Sequence, residues 1–261
     1  MKAEKTSPLT EAEVKEVQHH AISKLVECRK TNEVIGTQIF SILGKYARVI
    51  YYPLGKDAPW GFTHVDEEAS VDSRPFAAIN TSVSLDRQVF AAAHELYHIW
   101  YDRNGEHEMM AKRFAAEFLV DAPILKQEMA TYDIDPKHIT LKDILHLCDL
   151  FVVPYHMMVK RLVETECIRQ ETADAFNRYT EEQLAVYRKR YSFREFGSDE
   201  RVQIDNLVEL SVAAYEKGQI TYEKLEYLLS MSGMKPADVG IDEPEAYVFL
   251  TDDELDSLME E

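Results

Sequence analysis

The sequence predicts an α+β fold: mainly helical, with a small three-stranded sheet packed against one long helix, then an all-α C-terminal region. Three observations predict it. Short runs rich in β-branched and aromatic residues cluster at 48–54 (RVIYYPL), 60–62 (WGF) and 76–80 (FAAIN). A long stretch with helical start and stop signals, 85–103, follows the third run. From residue 124 onward the chain reads almost wholly helical, with Gly218 and Gly233 as stops.

Taken in order, Thr10 and Glu13 form a capping box ahead of a first helix. Its buried stripe is Val14, Val17, Ala21, Leu25 and Cys28. A second helical stretch, 34–43, is expected to end at Gly44. The first strand stops at Pro53 and Gly55, and 66–73 is a polar turn between the second and third strands. Ser84 is the expected N-cap of the 85–103 helix, with Asp86 in its first turn and Gly105 as its stop. The next helix runs from 106 to 120, where Asp121, Ala122 and Pro123 interrupt it. Segments 141–150 and 154–163 read as two helices joined by a tight turn, and 180–191, 201–217 and 221–232 as further helices. Residues 192–198 (SFREFGS) are the best linker candidate. The expected organisation is one domain over 1–170, with a helix-turn-helix-like segment at 140–165, and a helical region over 171–261.

A chain of 261 residues can bury a sizeable core. Its net charge of −18 argues against broad binding to nucleic acid or anionic membranes. The tail at 242–261 holds nine acids and no base, and reads as a solvated segment. No apolar run approaches bilayer length, and the first residues are too polar for a signal peptide. Cys28, Cys148 and Cys167 are odd in number and scattered, which points to reduced thiols in a cytoplasmic protein.

Within the long helix, 91–100 reads AAAHELYHIW and contains His94, Glu95 and His98, the H-E-x-x-H pattern of zinc-dependent peptidases. Positions i and i+4 share a helix face, so His94 and His98 can both aim a ring nitrogen at one metal ion. Glu95 sits beside that face, placed to hold a water and act as general base. A catalytic zinc site needs a third protein ligand. A third His six residues after His98 would make a metzincin, but Asn104 stands there. The candidates are therefore Glu106, Glu108 and Glu117 on the next helix. Met110, Ala111, Phe114, Ala115 and Phe118 define its buried stripe. Counting 100° per residue, Glu108 lies about 70° from the stripe's centre, and Glu106 and Glu117 lie more than about 100° away. Small Ala111 and Ala115 let the two helices approach. Phase favours Glu108; Glu117 keeps a weaker claim through its spacing to Asp121.

These residues together resemble the ImmA/IrrE family of metallopeptidases. The resemblance runs over roughly 48–123: Ile79-Asn80, Arg87-x-x-Phe90, Ala93-His94-Glu95-x-x-His98, Glu108-x-x-Ala111, Phe114-Ala115-Ala116, Leu119 and Pro123. Tyr97 and Lys112 stand where the family often has Gly and Asn, which bears on substrate details. The resemblance implies a zincin-like fold in which His94, His98 and Glu108 bind Zn2+ and Glu95 is the base. It implies a zinc endopeptidase whose protein substrate is a helix-turn-helix repressor of a phage or mobile element. The family also carries a helix-turn-helix-like segment, which 141–162 resembles; packing is favoured there over DNA contact. The alternative is a non-enzymatic regulator, or partner-binding protein, with a structural metal site. Tyr101, His107, Tyr155 and His156 are candidate oxyanion helpers, among which the sequence does not choose. The run 76–80 is either an edge strand that receives substrate by strand addition or, equally, an ordinary core strand.

Overall fold

The computed structural model describes residues 8–64 and 74–243. The expected polar turn at 66–73 and nearly all of the acidic tail lie outside the described residues. The chain divides into two compact units, 1–202 and 203–261.

The first unit opens with α1 (Glu11–Glu27). The Thr10 hydroxyl accepts the Glu13 N–H at 3.3 Å, and the Glu13 carboxylate accepts the Thr10 N–H at 2.7 Å. Val17, Ala21 and Leu25 form its buried face. A 3-10 turn (Gly36–Gln38) leads into α2 (Ile39–Tyr46). That helix continues through Gly44, where the sequence suggested a stop. Gly44 is in helical conformation, and burial of Ile39, Ile42 and Leu43 outweighs the modest helix cost of one glycine.

The strands β1 (Arg48–Tyr52), β2 (Gly61–His64) and β3 (Phe76–Asn80) follow. Their spatial order is β2-β3-β1, with β1 parallel to β3 and β2 antiparallel to it. The third strand is therefore interior, which decides for the core strand over the edge strand that its short apolar run had equally allowed. Its residues are buried from Ala77 through Asn80, as suits a strand flanked on both sides. The edge position beside β3 belongs to β2.

A buried side chain holds the path from β1 to β2. Asn80 is fully buried; its Oδ1 accepts the N–H groups of Leu54 (3.1 Å) and Ser82 (3.0 Å). Its Nδ2 donates to the carbonyls of Gly55 (2.8 Å) and Pro59 (3.1 Å). One amide thus satisfies loop backbone that burial would otherwise leave unpaired.

The helix α3 (Leu85–Tyr101) starts after Ser84, which occupies the N-cap position without making a side-chain cap bond. It packs against α2, the sheet and α4 (Glu108–Leu119). Helices α5 (Ala122–Thr131), α6 (Leu141–Phe151), α7 (Tyr155–Glu164), α8 (Gln170–Phe176) and α9 (Glu181–Arg190) complete the unit. Pro123 lies in the first turn of α5, where its missing N–H costs nothing. One contiguous core runs from α1 through α9.

The 192–198 stretch has no helix or strand, and the Leu85 N–H donates to the Gly197 carbonyl at 3.2 Å. It is fastened to the start of α3 rather than hanging free as a linker.

The second unit holds β4 (Gln203–Ile204), α10 (Leu207–Glu216) and α11 (Tyr222–Ser230). The short strand β4 is an addition to the three expected, in a region read as all-helical. Asn206, in the left-handed region at φ 59°, occupies the N-cap position of α10 without a side-chain cap bond, and that helix starts later than residue 201. Leu225 and Leu229 of α11 are fully buried.

Candidate metal centre and its cleft

The helix α3 is buried on most of its circumference, and its small Ala91, Ala92 and Ala93 let the sheet and neighbouring helices close around it. His94 and His98 project from one face with their Nε2 atoms 3.1 Å apart. After Tyr101 the chain reverses through Asp102–His107, with Gly105 at φ +63°, and α4 begins at Glu108. That reversal brings Glu108 to 3.2 Å from His94 Nε2 and 3.4 Å from His98 Nε2.

The donor set suits a zinc-type ion. Four ligands about 2.05 Å from an ion at tetrahedral angles stand roughly 3.3 Å apart, matching these separations. Two imidazole nitrogens and a carboxylate are also the donor chemistry of catalytic zinc. The tautomer argues the same way. Asp102 Oδ2 lies 3.1 Å from His98 Nδ1, so the proton belongs on Nδ1 and the Nε2 lone pair faces His94 and Glu108. His94 Nε2, His98 Nε2 and the Glu108 carboxylate thus converge as three potential ligand atoms.

Asp102 was not singled out from the sequence, although its i+4 spacing from His98 was available as a signal. It is buried at the α3–α4 corner and accepts from the N–H groups of Glu106 (3.2 Å) and His107 (2.9 Å). His107 Nδ1 also approaches it at 3.1 Å. Burial works to raise its pKa, but these hydrogen bonds and the nearby His98 prevail and hold it below the usual carboxylate range. Glu108 is likewise held low, chiefly by the hydrogen bond with His94 against the effect of burial.

Glu95 is only 4% exposed, and the Thr63 hydroxyl donates to its Oε2 at 2.8 Å. Burial pushes its carboxyl up to about 7, opposed by the Thr63 hydrogen bond and by His98, and reinforced by Glu108. The strand β2 supplies Thr63 and crosses directly over Glu95. A Cβ on Gly61 would come within 3.1 Å of both Glu95 Oε1 and the Ala78 carbonyl, so glycine is what lets the strand approach. Arg87 and Phe90 bear on the same strand: the Arg87 guanidinium lies 5.2 Å from the Trp60 ring, and Phe90 meets that ring edge-on at 6.2 Å. With Asn80, they fasten the segment that leads into β2.

The other glutamates lie elsewhere. Glu106 is exposed at the corner, before α4 begins. Glu117 is buried and turned toward Arg113 (2.6 Å) and Arg161 rather than toward the histidines. Of the four candidate oxyanion helpers, only His156 lines the cleft. Tyr101 stacks on His20 at 3.8 Å, the Tyr155 hydroxyl donates to the Phe176 carbonyl at 3.2 Å, and His107 is engaged by Asp102.

The cleft encloses about 1040 Å3. One side is β2 and α3; the other is α4 and α7, contributing Lys112, Arg113, His156 and Lys160. The helix-turn-helix-like hairpin, α6 and α7, thus puts its second helix into the wall of this cleft. Arg161, at its end, is 1% exposed; it donates to the Val120 carbonyl at 2.8 Å and pairs with Glu117.

Among the described residues no helix is long and apolar enough to cross a membrane. Cys28, Cys148 and Cys167 are all free. No curated protein and no solved structure matches the chain. Residues 47–163, from the start of β1 to the end of α7, match the Peptidase_M78 model, the IrrE N-terminal-like domain. That stretch contains the whole histidine–glutamate cluster, and over it the chain is similar to the ImmA/IrrE family of peptidases.

Proposed function

We propose that this chain is a cytoplasmic, zinc-dependent endopeptidase. The observation that carries the reading is the convergence of His94, His98 and Glu108, with a buried carboxylate, Glu95, alongside. His94 and His98 would hold the ion through Nε2, and Glu108 through its carboxylate. Zinc there supplies Lewis acidity, which polarises a scissile carbonyl and acidifies water.

The chain's own groups do the rest. Glu95 accepts a proton from the attacking water at a carboxylate oxygen and passes it to the departing amine. The Thr63 hydroxyl fixes the rotamer of that carboxylate from one side. Asp102 keeps His98 in the tautomer whose Nε2 is a lone pair. The outer edge of β2 is suited to an extended substrate segment, which would add as a further strand above Glu95.

We infer from the family that the substrate is a regulatory protein, a helix-turn-helix repressor of a phage or mobile element, whose cleavage relieves repression. The test is to incubate the zinc-loaded protein with a helix-turn-helix repressor encoded by a neighbouring gene and to identify fragments by mass spectrometry. Glu95→Gln is expected to slow cleavage about 10²–10⁴-fold while zinc content stays stoichiometric. No cleavage by the wild type, or undiminished cleavage by Glu95→Gln, overturns the reading.

A further inference from the structure

The segment 197–201 lies outside the stretch matched to the peptidase family, which ends at residue 163, yet it is bound at the foot of the helix that carries the histidines. Its seat is 81–85, the turn that leads from β3 into α3. The Thr81 hydroxyl donates to the Arg201 carbonyl at 2.8 Å, and the Glu200 N–H donates to the Thr81 carbonyl at 3.2 Å. The Ser82 hydroxyl donates to the Glu200 carboxylate at 3.1 Å. The Gly197 carbonyl accepts the Leu85 N–H, one of the donors that a helix start leaves unpaired. Gln88, fully buried in the same first turn, reaches Asp199 at 3.4 Å. The Arg201 guanidinium lies 4.0 Å from the Tyr51 ring of β1.

This seat is bonded onward to both elements that build the site. Ser82 Oγ accepts the Gly55 N–H at 3.2 Å, beside the Asn80 amide that holds Gly55 and Pro59. The Asn80 N–H donates to the Trp60 carbonyl at 2.9 Å, and the next residue, Gly61, opens β2. Thr63 of that strand holds Glu95. Leu85 opens the helix with His94, Glu95 and His98. Burial differs across the contact. Asn80 and Thr81 are fully buried and Ser82 nearly so, whereas Gly197, Asp199 and Glu200 are exposed. Hydrogen bonds and one ring contact therefore hold the strap, and a segment held with so little apolar burial opens more easily than the core.

We propose that 197–201 is a positioning strap for the candidate active site: seated, it keeps β2 over Glu95 and fixes the first turn of α3, and lifted, it loosens both. Thr81, Ser82 and Glu200 act through β2 on Glu95 and are positioning residues. The proposal adds these residues to the peptidase reading and rests on it.

The experiment compares full-length, zinc-loaded wild type with Thr81→Val and Glu200→Ala. Thr81→Ser keeps the hydroxyl, and Glu200→Gln keeps an acceptor oxygen. Hydrogen–deuterium exchange at 60–64 should rise about five- to tenfold in Thr81→Val, as the net worth of one hydrogen bond predicts, and return to the wild-type level in Thr81→Ser. Cleavage of the repressor should lose about tenfold in kcat with KM changed by less than about twofold; a misplacement of about 1 Å costs roughly 10²-fold. Zinc content stays stoichiometric throughout. Glu200 is exposed, so Glu200→Ala tests the same link should Thr81→Val fail to fold, with Glu200→Gln restoring it. Exchange that rises only at 81–85 and 197–201, or wild-type kcat in both Thr81→Val and Glu200→Ala, overturns the proposal. If the wild type cleaves nothing, the peptidase reading falls, and exchange at 60–64 alone decides whether the strap holds β2.

Discussion

Glu108 and Glu117 sit on the same helix, yet they meet opposite chemistry. Glu108 faces the Nε2 atoms of two histidines, and Glu117 faces the guanidinium groups of Arg113 and Arg161. A guanidinium is a permanent cation, so the Glu117 cluster carries its own counter-charge and is complete as it stands. An imidazole, unlike a guanidinium, can offer a ring-nitrogen lone pair, so the Glu108 cluster is suited to take its positive charge from an ion. Exposure follows chemistry: the Glu108 side chain is 38% exposed to the cleft, whereas that of Glu117 is 8% exposed. The lesson is that a buried carboxylate marks neither a fold element nor a functional site until the proton inventory of its neighbours is known.

The largest test of that contrast sets Glu117→Ala against Glu108→Ala. Stripping Glu117 from its buried arginines should lower unfolding stability by about 3–5 kcal/mol, read from urea denaturation. Glu108→Ala should abolish stoichiometric zinc binding and peptide cleavage, yet leave the urea midpoint of the metal-free protein nearly unchanged. If Glu108→Ala proves the more destabilising in metal-free protein, the division between the two clusters is wrong. Next in size is Asp102→Asn, which replaces the acceptor that orients His98. Zinc affinity should fall about 10–100-fold in chelator competition, and an unchanged affinity would remove Asp102 from the site.

The smallest effect is on acid stability. Burial alone would raise the Glu117 pKa, but Arg161 and Arg113 outweigh it and hold it below the ordinary value. A carboxyl lowered in the folded state stabilises the fold fully above its unfolded pKa, about 4.3. That contribution is lost as pH falls through the lower folded value. The urea midpoint should therefore decline with acidification below about pH 5. The decline should be shallower in Glu117→Gln, and identical slopes would show that the ion pair contributes no pH dependence.

Much of this arrangement is legible in the sequence because it is helical phase. The i, i+4 spacing puts His94 and His98 on one face, and the rotation of α4 favours Glu108 over Glu106 and Glu117. Capping at Thr10 and helical spacing in α6 and α7 are equally local. For the opposite reason, the sequence leaves open whether 76–80 is an edge or a core strand. An apolar five-residue run looks the same whether a strand has one neighbour or two, and only β2 lying outside β3 decides it. The stop at Gly44 failed because the tertiary burial of α2 outweighs a single unfavourable propensity.

By itself, then, the sequence determined most of the helices, the capping box at Thr10 and the spacing of His94, Glu95 and His98, because these depend on energies between residues within about one turn. Tertiary structure alone decided that β2 covers Glu95 through Gly61 and Thr63, and that Asn80 clasps the loop leading there. It also decided that Arg161 is buried against Glu117. Strand order and buried charge pairing join residues far apart in the chain. They are settled by which polar groups can be satisfied once the core closes, and no local periodicity encodes that outcome.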